Sequence, residues 1–169
     1  MDKRVVLAVA GAGKTTYIID QLKEDSRALL VTYTDNNTRN LKNRVIKKFG
    51  YIPENIRVLS YFTFIYSYCL KPLYGYELKL KGINFIQQIP KQILRTRKNT
   101  LEHYIDSTQR IYSNRISKLL LEYKVMPNIL NRLKRYFDSI YIDEIQDFAA
   151  NDFNFVCKLS DFDVSLLLV

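Results

Sequence analysis

Apolar residues fall along this chain in two rhythms: short unbroken runs, and longer stretches with a helical repeat. Val5-Val6-Leu7-Ala8-Val9 is the first run, and it ends at Gly11-Ala12-Gly13. An apolar run closed by a glycine turn predicts a buried strand. A helix is expected from about Thr15 to Lys23, and a second buried strand over Arg27–Tyr33 (RALLVTY). Leu41, Val45 and Ile46 recur near one face of a predicted helix over Asn37–Phe49. Pro53 breaks the chain, Ile56–Ser60 reads as a third strand, and the Tyr/Phe-rich Tyr61–Leu70 is placed on a helix. Gly75–Arg135 carries a polar, helical pattern punctuated by Gly82, Pro90 and Pro127. Ser139–Ile142 reads as a fourth strand, Asn151–Leu159 as a helix and Val164–Val169 as the last strand. Strands that alternate with helices favour a parallel sheet joined by right-handed crossovers. The expected fold is therefore α/β, a parallel sheet flanked by helices. The stretch 71–135 becomes a basic helical insertion between the third and fourth strands.

Composition narrows the classes. The 169 residues amount to about one domain. With 47% hydrophobic and 25% charged residues, the chain reads as packed rather than disordered. No apolar run approaches the ~18 residues of a membrane span, and MDKRVV has no secretory apolar region. A soluble, cytoplasmic protein with no membrane partner is expected. Two cysteines, Cys69 and Cys157, and one histidine, His103, argue against a disulfide framework, a Cys-rich zinc site and a His-based triad. The formal charge is +9, and residues 71–135 hold 14 Lys and Arg against four acids, Glu77, Glu102, Asp106 and Glu122. One segment thus carries the whole excess, which points to a polyanionic partner; the bland alternative is a solvated Lys-rich helical surface. Thirteen Tyr and nine Phe are spread through the chain, and aromatics on a basic surface can stack on unpaired bases.

Two short segments carry candidate chemistry. Ala8-Val9-Ala10-Gly11-Ala12-Gly13-Lys14-Thr15-Thr16 lies between the first strand and the first helix. Small residues there let successive N–H groups converge on phosphate oxygens at the positive end of a helix dipole. Ala10, Gly11, Ala12, Gly13 and Thr16 would cradle the phosphates, Lys14 would reach the β- and γ-phosphates, and Thr15 would ligate Mg²⁺. The strict pattern has Gly where this chain has Ala8. The second segment, Ser139-Ile140-Tyr141-Ile142-Asp143-Glu144-Ile145-Gln146-Asp147, puts carboxylates at the C-terminal end of a buried strand, where open parallel sheets collect ligands. Asp143 is placed to hold Mg²⁺, Glu144 to deprotonate an attacking water, and Gln146 to sense the γ-phosphate region. Asp147 could join them or could simply cap the next helix.

Taken together, the segments resemble the UvrD/Rep-like superfamily 1 DNA helicases. AVAGAGKTT resembles their Walker A motif and IDEIQD their DExxQD-type Walker B. Val31–Leu41 (VTYTDNNTRNL) is similar to their motif Ia, usually TFTNKAA followed by a charged helix. On that match Tyr33 takes an aromatic position that contacts a base, and Thr34 and Asn36 lie by the DNA backbone. Ser60-Tyr61-Phe62-Thr63-Phe64 is similar to the next motif, often T-x-H-S/T-F, with Phe62 where the family usually has His. Read from the residues alone, Tyr33 is also an ordinary strand-end aromatic, and Tyr61 to Phe64 are also core. The resemblance implies a P-loop NTPase (RecA-like) domain over 1–70 and 136–169, with 71–135 as a subdomain over the single strand. It implies ATP and Mg²⁺ as cofactors, and single-stranded DNA or a single/double-strand junction as partner. It also implies a second motor domain beyond VSLLLV, with arginines that complete the ATP site. The expected function is the N-terminal motor domain of an ATP-dependent 3′–5′ DNA helicase or translocase. The alternatives are a non-enzymatic nucleic-acid-binding or regulatory module and, further off, a small phosphotransferase.

Overall fold

The computed structural model describes residues 3–6, 12–86, 89–97, 100–161 and 165–169. In chain order the described elements are β1 (Lys3–Val5), α1 (Lys14–Gln21), β2 (Ala28–Thr32), α2 (Asp35–Phe49) and β3 (Ile56–Ser60). Then come α3 (Tyr61–Phe64), α4 (Lys71–Tyr74), β4 (Gly82–Asn84), α5 (Lys91–Leu94), β5 (Arg110–Tyr112), α6 (Ile116–Glu122) and α7 (Met126–Tyr136). The chain closes with β6 (Ser139–Asp143), α8 (Ala150–Leu159) and β7 (Ser165–Leu168). Five strands form one sheet in the order β1-β7-β6-β2-β3, and every pairing in it is parallel. The chain is thus α/β, as its alternation of apolar runs and helical stretches predicts.

Side-chain alternation along the strands builds two cores. Leu29, Val31, Ile140, Ile142, Leu166 and Leu168 face one way, into a core shared with α3, α6, α7 and α8. Ala28, Leu30, Ile56, Val58 and Leu167 face the other, against Ile18, Ile19 and Leu22 from the α1 region and Leu41 and Val45 of α2. Successive residues of a strand point to opposite faces, so an unbroken apolar run such as ALLV suits a strand covered on both sides. Each fully buried Leu or Ile contributes about 1.5–3 kcal/mol. The small core is tied at its rim by Lys48 of α2, whose Nζ donates to the carbonyls of Ile19 (2.7 Å) and Leu22 (2.8 Å) at the end of α1. Thr34 caps α2 by accepting the Asn37 N–H, and Gly50 at φ 83° ends that helix in a conformation costly to any residue with a Cβ.

Register sets up the functional edge. Thr32 pairs with Ser60 on one side and Asp143 on the other, so three buried polar residues form one row at the C-terminal ends of β3, β2 and β6. Burial of polar groups in a row at one sheet edge is a cost that packing alone does not call for.

Three expectations change in detail. The first strand is described only over Lys3–Val5, and Leu7 to Gly11 lie outside the described residues. The helix over Tyr61–Leu70 exists, but Ile65–Leu70 is a wide π turn and the helix continues through α4. Buried positions explain it: Tyr61, Phe64 and Ile65 follow an ordinary repeat, whereas the next buried pair is Cys69 and Leu70 rather than Tyr68. One extra residue in the turn absorbs that slip, and the Lys71 N–H closes it on the Tyr66 carbonyl. The stretch 71–135 is not all helix, because β4 and β5 pair in parallel within it. Asp106 organises their connection. Burial alone would raise its carboxyl, yet hydrogen bonds from Arg110, Thr108 and Asn84 hold it down at about 2. The stretch also shares the large core with the sheet through Ile111, Ile116, Leu120, Ile129 and Leu133.

Candidate functional site

The polar end of the site begins at α1. Gly13 precedes it at φ 82°, a left-handed turn that lets the chain enter the helix directly. Lys14 and Thr15 are its first two residues, both half-buried, while Ala12, Gly13 and Thr16 are exposed. The predicted cradle residues Ala10 and Gly11 lie outside the described residues. Thr15 Oγ1 donates to Asp143 Oδ2 at 3.0 Å, joining two residues 128 positions apart. β7 lies between β1 and β6, so α1, which follows β1 in the chain, reaches the C-terminal end of a strand that is not the neighbour of β1. Asp143 is only 4% exposed, and its Oδ1 has no hydrogen-bond partner among the described residues. Burial pushes its carboxyl above the ordinary value, opposed by the Thr15 hydroxyl and reinforced by the adjacent Glu144 charge; Lys14 pulls it back down. A buried carboxylate oxygen without a donor, beside a hydroxyl, is an oxygen set that suits a hard divalent cation such as Mg²⁺.

Glu144 follows at φ 58°, ψ 53°, left-handed although it is not glycine. That conformation costs about 1–2 kcal/mol. The Ile145 N–H donates to the Val169 carbonyl (2.8 Å) and the Val169 N–H to the Ile142 carbonyl (3.0 Å), which pins the turn to the end of β7. The Glu144 side chain accepts a hydrogen bond from Gln146 Nε2. Asp147 is exposed in a 3₁₀ turn (Ile145–Asp147), and Ala149 stands at the N-cap of α8, so Asp147 does not cap that helix. Thr16 turns away to α2, where its hydroxyl accepts from Arg44 (3.0 Å).

Next to the polar end lies an aromatic groove of about 600 Å³, lined among others by Tyr33, Thr34, Ser60, Phe62, Tyr66 and Phe85. Ser60 and Asp143 flank Thr32 in the same row, two strand spacings or roughly 10 Å apart. Tyr33 packs edge-on to Phe62 (5.6 Å) and Phe148 (5.1 Å), and Phe85 meets Phe62 edge-on at 5.3 Å. Phe85 is 61% exposed. Thr34 and Asn36 are exposed at the start of α2, and the Thr34 hydroxyl is spent on its helix cap. Ser60 Oγ shares a hydrogen bond with Thr63 Oγ1 (3.0 Å).

Tyr61 belongs to the core instead. It is 0% exposed, stacks on Tyr33 at 5.9 Å, and its hydroxyl reaches Ser117 (3.0 Å) and Asp152 (3.2 Å). A ring with no exposed face cannot stack on a base, so of the two readings of Tyr61 packing is the one its burial allows.

The structure therefore brings Lys14, Thr15, Asp143 and Glu144 to one end of the edge and Tyr33, Thr34, Ser60 and Phe62 to the other. Sequence reasoning missed Asp152, which accepts from Ser117, Tyr61 and, at 3.5 Å, Tyr33. Burial raises its carboxyl and the hydroxyls from Ser117, Tyr61 and Tyr33 oppose that shift. Its signal was present: Asp152 lies three, four and seven residues before buried Phe155, Val156 and Leu159, on the apolar face of α8. Phe85 and Tyr66 gave no such signal. Among the described residues no helix is long and apolar enough to cross a membrane. No family model matches the chain, and no curated protein matches it.

Proposed function

We propose that this chain is the ATP-binding motor domain of a DNA helicase or translocase of the UvrD/Rep-like kind, with a P-loop NTPase (RecA-like) sheet. The observation that carries this reading is the hydrogen bond from Thr15 to a buried Asp143 whose other oxygen is unpartnered. Residues of the helix-opening loop and of the acidic strand, distant in sequence, meet there.

In this reading the phosphates of ATP sit against the N-terminal amides of α1, and Lys14 offsets their charge. Thr15 and Asp143 would hold Mg²⁺, which would supply charge neutralisation for the phosphates. Glu144 takes the proton from the attacking water, and Gln146 keeps its carboxylate oriented through their hydrogen bond. The neighbouring groove receives bases of single-stranded DNA against Tyr33, Phe62 and Phe85, with the basic 71–135 stretch contributing salt-dependent attraction.

The test is Mg²⁺-dependent binding of a fluorescent ATP analogue, with and without oligothymidylate. Nucleotide binding should vanish in Lys14→Ala and in chelator, while oligothymidylate still binds Lys14→Ala. Lys14→Ala that binds nucleotide like the wild type overturns the reading. Oligothymidylate binding with no nucleotide binding in the wild type supports the non-enzymatic module instead.

A further inference from the structure

A second groove lies at the opposite end of the sheet. It has a volume of about 310 Å³ and opens where β3 begins, between that strand, the wide turn after α3, and α7. Arg57 comes from the exposed side of edge strand β3 and Arg132 from α7. The Arg132 guanidinium lies over the Tyr136 ring at 5.3 Å, and its Nε is buried without a hydrogen-bond partner among the described residues. Neither arginine forms an ion pair among the described residues. Tyr68, half-buried, and Tyr136, 48% exposed, also line the groove. Glu54 closes the rim.

Two guanidiniums without carboxylates, one of them holding a buried unmet donor, call for an anion with several acceptor oxygens. Flanking tyrosines offer ring faces to a planar group. The volume is at the lower end of the range, about 300–1,000 Å³, that small-molecule sites occupy. Glu54 opposes a second phosphate, which favours a single phosphate over a polyphosphate tail. We propose that this groove binds one nucleoside 5′-monophosphate unit, free or within a single strand. Arg57 and Arg132 take its phosphate, and Tyr68 and Tyr136 take its base. The groove lies about a strand's length from the Thr15–Asp143 end, so the proposal stands apart from the nucleotide reading of that end.

The experiment uses the Lys14→Ala chain, so that the phosphate loop contributes nothing. Thymidine 5′-monophosphate, thymidine and a short oligothymidylate are titrated separately while the arginine Nε–H and tyrosine ring resonances are followed. The monophosphate should bind at least about tenfold more tightly than thymidine, and Arg57→Gln and Arg132→Gln should each weaken it about tenfold. Arg57 is exposed, so its variant keeps the test sound if Arg132→Gln fails to fold. Tighter binding of the oligomer that Arg57→Gln weakens as it weakens the monophosphate identifies a strand as the source. Oligomer binding that Arg57→Gln leaves unchanged belongs to the aromatic groove and identifies a free nucleotide as the source here. Equal affinity for thymidine and its monophosphate, or an unchanged affinity in Arg57→Gln, overturns the proposal.

Discussion

Two neighbouring stretches of one sheet edge are built on opposite principles. At the Thr15–Asp143 end, polar atoms are buried and left incomplete: Asp143 Oδ1 has no partner, and Glu144 holds a left-handed backbone. In the aromatic groove, roughly 10 Å away across β2, the Tyr33 hydroxyl donates to Asp152 and the rings of Tyr33, Phe62 and Phe85 brace one another. The first end is unstable until something arrives, which suits chemistry on a charged ligand. The second is complete beforehand, which suits contact with a ligand that changes identity along its length. Stability and function therefore pull apart at the first end and run together at the second.

The largest expected effect lies at the incomplete end. Glu144→Gln should slow single-turnover ATP hydrolysis by about 10²–10⁴-fold, because a proton acceptor is removed while the charge of Lys14, Thr15 and Asp143 stays. Nucleotide affinity, measured in parallel, should hold. Wild-type hydrolysis in that variant would move the base elsewhere.

Beneath and within the groove, the contrast is between a core ring and an open one. Tyr61→Ala removes a fully buried aromatic and should cost about 3–5 kcal/mol in urea unfolding. Phe85→Ala should leave the unfolding midpoint almost unchanged and weaken oligothymidylate binding by about 1–3 kcal/mol. Reversal of the two outcomes would show that the groove as described is closed to bases.

The smallest effect separates the ends most directly. Folding raises the Asp143 carboxyl above its ordinary 3.8, chiefly by burial. The folded chain therefore keeps a proton that the unfolded chain releases, and stability falls as pH rises from 3.8 through the raised value. Asp143→Asn should accordingly be more stable than the wild type at pH 7 in thermal unfolding, while Mg²⁺-dependent nucleotide binding is lost. The gain should disappear at pH values below 3.8, where both states of the carboxyl are protonated. A loss of stability at pH 7 would mean that the Asp143 charge supports the fold.

Much of this arrangement was legible in the chain. ALLVT, IRVLS and SIYID are β-rich runs without competing helical spacing, and each forms a strand at or within two residues of its expected ends. The meeting of the lysine-threonine helix start with the acidic end of β6 could be anticipated because each is a short local pattern that ends a strand or opens a helix. The groove was harder, since Phe85 reaches Phe62 from a segment with no local marker. The role of Asp152 was hidden because its partners, Ser117 and Tyr61, lie 35 and 91 residues away. The helical expectation for 71–135 failed at β4 and β5, three-residue strands too short to show an alternation.

The wide turn at Ile65–Leu70 has a mechanical consequence. Tyr66 lines the aromatic groove, whereas Ser67 and Tyr68, next in sequence, line the arginine groove at the far end of β3. Deleting one residue there would restore ordinary winding and keep Cys69 and Leu70 on the buried face, at the cost of one residue from the walls of the two grooves. A single peg thus furnishes walls to two separate chambers, and remodelling either through this helix necessarily disturbs the other.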